Sequence, residues 1–465
     1  MSNHEAGALA RRRGAGKSDR GDPKSVRLPG VLLDLSTVAL CLLFWAVFKY
    51  QISPAFSYGG LIYRPPNIVF FTFAVVMAVL VIRSAPRYIT QAGELTLVAL
   101  VYMVGIPAII LPNIILIEDE RTSFGLASVA AAAFVSLNLF YKAARPYLAT
   151  RQGVDKSLRS HMRLSPIVVG VLLVFTAATF IMLHMSVGIT FAAETFGDLY
   201  DARSMSSEAI ATSGPLLGYA LAIQYKAINP ALIVLGFVDK RYRFLILIGV
   251  IGQYIGYTTS NQKQSLFSIA VIIALAVALR SVRGIALHAV SAAVLLLCAV
   301  ASLADLLQKK IFWSEVIVDR FFFWPGFLPS QFHATFQERP FNLWSDAFMK
   351  LWIPDQSPGW TPETLVGLGL TGNTGVNANS SFLGNGYANL GFTGVLIEGI
   401  VLFAILIVLS WAARGLPPRV SFPLCVMPAV SLANGSPWTA ILSGGVLVVI
   451  LLLVAIAKTS TVGES

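Results

Sequence analysis

Apolar runs of about 20 residues alternate with short polar connections along most of the chain. A helix of that length crosses the hydrocarbon core of a bilayer, which is about 30 Å thick. The pattern predicts an all-α polytopic membrane protein with about twelve transmembrane helices, at 30–48, 67–83, 95–117, 123–141, 166–187, 215–238, 244–259, 264–280, 284–304, 384–411, 420–434 and 438–457. Prolines inside these runs predict kinked or broken helices at Pro107, Pro112, Pro230 and Pro428.

The distribution of charge predicts how these helices are oriented. With the N-terminus in the cytoplasm, internal segments hold 23 of the 34 Lys and Arg residues, whereas 14 of the 23 acidic residues lie in external segments. An excess of positive charge on the inside orients membrane proteins, so both termini are predicted to be cytoplasmic. The first run, 31–48, is too long for a cleaved signal and no cleavage site follows it, so we interpret it as an anchor.

The composition excludes several classes of protein. Hydrophobic residues make up 56% of the chain and charged residues only 12%, against about 25% in soluble domains. A soluble enzyme, a secreted disulfide scaffold and a disordered chain are therefore excluded. The net charge of +11 is explained by membrane orientation, so it does not predict nucleic-acid binding. Cys41, Cys298 and Cys425 lie in apolar runs and predict neither disulfides nor a metal site.

Two external segments are longer than ordinary connections, and long loops are often functional. The predicted organisation is a disordered basic tail at 1–29, nine spans in 30–304 with an external loop at 188–214, a large loop at 305–383, three spans in 384–457 and a cytoplasmic tail at 458–465. Whatever chemistry the protein performs is therefore expected at its external face.

The large loop is rich in aromatic residues and holds five of the eight tryptophans, together with a run of three phenylalanines. Such a loop can lie on lipid headgroups, or it can offer flat apolar surfaces to sugar rings or a lipid chain. Arg320 lies before a Phe-Phe-Phe-Trp-Pro-Gly turn, where its guanidinium can bind a phosphate or pair with Asp319 or Glu315. For Arg339 and His333, contact with headgroups is the simpler interpretation.

The smaller external loop places four carboxylates around one cation. Arg203 can form salt bridges within the loop, or it can bind a phosphate while a neighbouring carboxylate acts as a general base. The candidate bases are Asp198, Asp201 and Glu208.

Three charged residues lie in or beside predicted spans. Lys226 and Glu398 fall within spans, where an ionisable side chain is costly and by default indicates function. Lys263 lies in a polar turn that suits a diphosphate or a sugar, although snorkelling to the interface also explains it.

A Gly/Asn-rich stretch closes the large loop. Its GxGxxG pattern, 367–372, does not follow a strand and therefore does not predict a dinucleotide site. Its amides are expected to bind sugar hydroxyls or to cap the tenth span. The candidates are Asn377, Asn379, Asn385 and Tyr387, with Asn434 further along the chain. No zinc spacing, phosphate-binding loop or nucleophile elbow occurs, so no metal or cofactor is predicted.

These motifs together resemble the bacterial oligosaccharide repeat-unit polymerases, the O-antigen polymerase (Wzy-type) family. The similarity covers 195–445 and is most specific in the Asn-rich stretch and the Asn-Gly-Ser turn. It rests, in chain order, on Tyr200-Asp-Ala-Arg203, Gly214-Pro-Leu-Leu-Gly-Tyr219, Lys226-Ala-Ile-Asn-Pro230, the turn with Lys263, Arg320-Phe-Phe-Phe-Trp-Pro-Gly326, the stretch 377–391 and Ser431-Leu-Ala-Asn434-Gly-Ser436.

The resemblance implies a GT-C-like glycosyltransferase in the bacterial inner membrane that joins repeat units on undecaprenyl diphosphate at the periplasmic face. Its donor and its acceptor would both be lipid-linked glycans, and it would contact membrane lipids. A chain-length regulator of the pathway would be a candidate partner. Arg203, Lys263 and Arg320 would stabilise the leaving diphosphate without a metal. Lys226 and Arg339 would be the next candidates for that role. Asp198, Asp201, Glu208 and His333 are the unranked candidates for the base, and the Asn residues and Tyr387 would position sugars.

Two other functions fit the same sequence. A lipid-linked polysaccharide ligase shares the donor and the face; loss of activity in His333→Ala with an active Arg320→Ala would favour it, and the reverse would favour the polymerase. A flippase or transporter is the non-enzyme alternative, but transporters tend to show repeated halves, whereas this chain is asymmetric.

Overall fold

The computed structural model describes residues 23–148, 162–189, 210, 212–260, 263–280, 282, 284–354, 356–373, 376–459 and 461–462. This part of the chain is mostly helical. Short antiparallel strands pair Tyr88–Ile89 with Ile285–Ala286, and Met162–Arg163 with Thr461–Val462. Each of these two-residue pairs joins connections that are far apart in the sequence, on the side predicted to be cytoplasmic.

The helices before the large loop form most of the bundle. They are α1 Pro23–Val47 with its continuation through Phe48–Ile52 and Ser53–Phe56, α2 Ile68–Ser84, α3 Ala92–Asn113, α4 Glu120–Leu148, α5 Pro166–Ser186, α6 Pro215–Val238, α7 Phe244–Ser260, α8 Lys263–Ala278 and α9 Leu287–Gln308.

The helices of the large loop and the C-terminal part complete the bundle. They are α10 Ser314–Phe323, α11 Trp324–Phe336, α12 Pro362–Thr371, α13 Phe382–Ala412, α14 Pro418–Leu424, α15 Val426–Ala433, α16 Pro437–Leu442 and α17 Val446–Thr459. We call the end of the bundle that carries residues 113–120 and the described residues of 309–381 the loop-rich end.

Within the described residues, seven helices are long and apolar enough to cross a membrane: α1, α3, α4, α5, α6, α9 and α13. Shorter apolar helices lie at the other predicted spans, namely at α2, α7, α8, 418–433 and α17. The prediction of an all-α membrane protein is thereby confirmed. The count of twelve spans and their orientation stay predictions.

Proline interrupts the helices where the sequence predicts it. In α3 the segment Val101–Gly105 is a π-helix, and α-helix resumes at Ile106 with Pro107 in its first turn. In α6 the π-helix Gln224–Ile228 precedes Pro230 in the same way. Because proline has no N–H and clashes with the preceding turn, the backbone before it widens to keep its hydrogen bonds.

The tenth predicted span differs from the expectation of one straight helix. α13 is broken at Leu390 and Gly391, and Gly391 has the left-handed φ of +59° that glycine adopts readily. The first half, 382–389, folds back on the second. The two backbones are so close that a methyl group added at Gly386 would lie 2.7 Å from the carbonyl oxygen of Gly394. Glycines at both positions let the two backbones touch.

α10 and α11 form one continuous helical segment that packs into the loop-rich end. Helical backbone continues through Phe323 and Trp324, and the segment contacts α3, α9 and α13. Gly326 lies against Pro107, where a side chain would overlap the backbone of α3. The aromatic loop is therefore largely buried in the bundle at this point, and it brings His333 to the connection between α3 and α4.

Candidate functional site

A histidine and a glutamate from distant parts of the chain meet at the loop-rich end. Nδ1 of His333 lies 2.9 Å from Oε1 of Glu118, and the two side chains are only 11% and 10% exposed. Nε2 of His333 has no hydrogen-bond partner among the described residues. If Nδ1 donates to the carboxylate, Nε2 carries the lone pair and can accept a proton.

Arg64 holds the turn that presents Glu118. Its guanidinium donates to the backbone carbonyls of Glu118 and Pro112, at 2.5 and 3.1 Å, and to Oγ of Ser123 at 3.1 Å. These contacts tie both ends of the connection between α3 and α4 to the chain before α2. Arg64 therefore fixes the position of the carboxylate that orients His333.

Tyr387 covers the other side of the histidine. Its ring centroid lies 4.7 Å from that of His333, and Phe392 packs against both rings. His333, Ser330 and Tyr387 also line a cavity of about 30 Å³ whose remaining walls are apolar. A cavity of that size holds about two water molecules. The site therefore has room for a small polar group beside His333.

Arg320 lies apart from this cluster. Thirteen residues of continuous helix separate it from His333, which corresponds to roughly 15–20 Å. Its side chain is exposed and lies over the ring of Trp324, with Cζ 5.9 Å from the ring centroid. Asp319 is buried instead, and its Oδ2 accepts a hydrogen bond of 2.8 Å from Nε1 of Trp324.

Burial raises the pKa of Asp319 to about 7, against the opposing effects of Arg320 and the Trp324 hydrogen bond. Between about pH 4 and about pH 7 the folded protein retains a proton that the unfolded chain releases, so this group lowers stability as the pH rises through that window. We expect the free energy of unfolding of the wild type, measured by thermal unfolding in detergent, to fall more than that of Asp319→Asn across this window, by an amount on the order of 1–4 kcal/mol.

Glu338→Gln provides the control for this comparison, because Glu338 is exposed and has no hydrogen-bond or ion-pair partner among the described residues. Parallel pH profiles of the wild type and Asp319→Asn would contradict the prediction.

The candidate asparagines of the Gly/Asn-rich stretch differ in exposure. Asn377 and Asn379 are exposed, whereas Asn385 is buried together with Asn389, which was not a candidate, in a network that the sequence did not predict. Asn385 donates to Oε1 of Glu363 at 2.7 Å, and Nδ2 of Asn389 donates to the backbone carbonyl and Oδ1 of Asn385, both at 2.9 Å. The buried amides therefore hold α12 against α13.

The same network anchors a strained loop. Leu343 and Trp344 both have left-handed backbone, with φ of 55° and 53°. Oδ1 of Asn389 accepts the backbone N–H of Trp344 at 2.6 Å, and the indole of Trp344 donates to Oε1 of Glu398 at 3.1 Å. Glu398, which is fully buried, also accepts from Ser436 at 3.3 Å. Residues 342–345 thus bridge the two halves of the broken helix.

Removing the amide of Asn389 is expected to destabilise the fold. Asn389→Ala leaves the Trp344 N–H without its acceptor while the left-handed backbone still costs about 1–3 kcal/mol per residue. We expect a loss of about 2–4 kcal/mol in stability, measured by thermal unfolding in detergent. The exposed Asn379→Ala should stay within about 0.5 kcal/mol of the wild type, and equal losses in both variants would argue against the network.

Two further candidates have structural contacts away from His333. Nζ of Lys226 donates to the carbonyl of Ser443 at 3.0 Å, next to the turn between α16 and α17. Nδ2 of Asn434 donates to the carbonyl of Val430 at 3.0 Å and so closes the end of α15. Tyr387 alone among the predicted sugar-positioning residues contacts His333.

Five of the candidates predicted from the sequence have no described side chain. Arg203, Asp198, Asp201 and Glu208 lie outside the described residues, and Lys263 begins α8 with its side chain outside them. Within the described part of the chain, no group of three His, Cys, Asp or Glu side chains lies close enough to hold a metal ion.

Sequence reasoning missed Glu118 and Arg64. Glu118 belongs to an acidic run that entered only the count of external charge, and Arg64 lies in a short connection. A signal was present nonetheless, because both are charged residues within a few positions of predicted spans. The pairing of Glu118 with His333, 215 residues further along the chain, has no local signature.

Comparison of the sequence with protein-family models and with curated proteins found no match, and comparison with solved structures found none either.

Proposed function

We propose that the protein is a metal-independent membrane glycosyltransferase that polymerises undecaprenyl-diphosphate-linked repeat units at the periplasmic face of the bacterial inner membrane. The observation that supports this most is the pair of His333 and Glu118 at the loop-rich end, with one ring nitrogen held and the other free beside a small cavity. A glycosyl transfer needs a base, and the aromatic loop brings His333 to the loop-rich end of the bundle.

In the proposed reaction an acceptor hydroxyl attacks the anomeric carbon of the donor. The new C–O bond forms as the bond to the diphosphate breaks, the bonding electrons leave with the diphosphate, and the hydroxyl proton passes to Nε2 of His333. Glu118 keeps Nδ1 protonated and the ring in place. Of the four candidate bases, His333 is thus the one with a described partner that orients it.

Cations must stabilise the leaving diphosphate in this reaction. Arg203, Lys263 and Arg320 remain the first candidates from the sequence, with Lys226 and Arg339 next. Arg339 is only six residues beyond His333 in the chain and lies at the same end of α11. Among these five cations Arg339 is thus the closest to His333 along the chain.

The test is reconstitution of the purified protein with one lipid-linked repeat unit. A ladder of products that grows with time, without any other acceptor, is expected for a polymerase. Products of a single length, or none from a correctly folded preparation, would refute the proposal.

A lipid-linked polysaccharide ligase is the second candidate, because a base oriented as His333 is would serve it equally well. His333 is oriented by Glu118, whereas Arg320 lies apart from this pair on the same helical segment. We therefore expect His333 to be needed in either enzyme. Its mutation alone therefore does not separate the two. The acceptor does: a ligase forms product only when a lipid A core or another non-repeat acceptor is added.

A further inference from the structure

A second opening lies on the other side of the end of α11. It is a groove of about 750 Å³ between the last turn of α11, the turn at 357–360 and α12. Its size is within the range of about 300–1,000 Å³ that is usual for small-molecule sites. The polar and aromatic groups that line it are Thr335, Glu338, Arg339, Ser357 and Trp360.

The backbone of Trp360 is held in place from both sides. Ser357-Pro-Gly-Trp360 forms a turn in which the N–H of Trp360 donates to the carbonyl of Ser357 at 2.8 Å. Pro358 and Gly359, with a φ of +82°, occupy the central positions that favour a type II turn. Thr361 then caps α12, with Pro362 in its first turn. Trp360 therefore presents a half-buried aromatic side chain from a backbone that the turn and the helix cap fix.

Two residues of opposite charge line the groove without forming an ion pair with each other. Glu338 and Arg339 are exposed, and neither side chain has an ion-pair or hydrogen-bond partner among the residues that the structure describes. A guanidinium offers a rigid fork of donors, and a carboxylate offers acceptors. Together with the hydroxyl of Thr335, they supply both kinds of hydrogen-bonding group within one groove.

We infer that this groove binds an oligosaccharide. A sugar ring presents an apolar C–H face, which matches the surface of Trp360, and a rim of hydroxyls, which both donate and accept hydrogen bonds and so match Glu338 and Arg339. The identification of this glycan as part of the repeat-unit substrate rests on the proposed function. The groove is separate from the cavity of His333, so binding can be measured without catalysis.

The probe is an array of free bacterial repeat-unit oligosaccharides, incubated with labelled full-length protein in detergent. Each oligosaccharide that binds is then titrated by calorimetry against the wild type and variants. We expect Trp360→Ala to weaken binding at least tenfold and Trp360→Tyr to retain most of it. Trp352→Ala is the matched control, because Trp352 is in the same loop, is 72% exposed and does not line the groove.

Binding that is lost in Trp360→Ala and kept in Trp360→Tyr and Trp352→Ala supports the inference. Unchanged affinity in Trp360→Ala, equal loss in Trp352→Ala, or no binding to any array member overturns it. The two proposals fail separately. Trp360-dependent binding without chain growth in the reconstituted assay refutes the polymerase alone, and chain growth with Trp360-independent kinetics refutes the groove alone.

Discussion

Glycosyl transfer by His333→Ala is expected to be about 100- to 10,000-fold slower than by the wild type, the range lost when a general base is removed. The hydroxyl proton then has no acceptor at Nε2, while the groove and the rest of the bundle are unaltered. The measurement is the initial rate of product formation from purified lipid-linked substrate, at saturating and at limiting concentrations.

Glu118→Gln tests the orienting contact between the same two residues. A glutamine still contacts Nδ1 of His333 but carries no charge, so we expect kcat to fall by less than in His333→Ala while KM stays close to the wild-type value. A rise in KM with unchanged kcat would instead place Glu118 in substrate binding.

His288→Ala serves as the control for these variants, because His288 is exposed on α9 and contacts no part of the cluster. Wild-type rates in His333→Ala, with thermal unfolding also unchanged, would remove His333 from the reaction and return the base to Asp198, Asp201 or Glu208.

Gly394→Ala is expected to have the largest effect on stability. The added methyl group would overlap the carbonyl oxygen of Gly386, which belongs to the other half of the broken helix. Backbone cannot move aside as a flexible side chain can, so the two halves must separate. Overpacking in a core usually costs about 1–3 kcal/mol, and a backbone contact lies at or above the upper end of that range. The measurement is the thermal unfolding midpoint in detergent.

Gly399→Ala is the matched control, since it lies in the same half of α13 and its new methyl group would meet Phe382 at 3.8 Å. That is an ordinary contact, and alanine favours a helix over glycine by about 1 kcal/mol, so this variant should be as stable as the wild type or more stable. Equal stability of the two variants would show that α13 does not fold back at these glycines.

The sequence alone indicates that this is a helical membrane protein and places its apolar helices closely. The predicted spans at 166–187 and 215–238 coincide with α5 and α6 almost to the residue. The reason is that transfer of a helix into a bilayer is a sum of local contributions, which a run of apolar residues is sufficient to show. Prolines act on their own turn, so the interruptions before Pro107 and Pro230 were predictable as well.

The break inside α13 could not be predicted from hydropathy. Its 31 residues form one apolar run, yet the break at Gly391 depends on contact between Gly386 and Gly394 and on the anchoring of Trp344 by Asn389. Hydropathy does not distinguish one long helix from two that fold back. The asparagines that were expected to bind sugars are divided by this geometry, since Asn385 is buried inside the fold whereas Asn377 and Asn379 are exposed.

The composition and the order of the motifs were sufficient to predict a helical membrane protein whose external loop carries aromatic and basic residues. Only the tertiary structure decided which of the candidates lie together. It paired His333 with Glu118, supported that glutamate by Arg64 and separated both from Arg320. Membrane insertion depends on each segment by itself, whereas the contacts of a site depend on how segments more than 200 residues apart pack against one another.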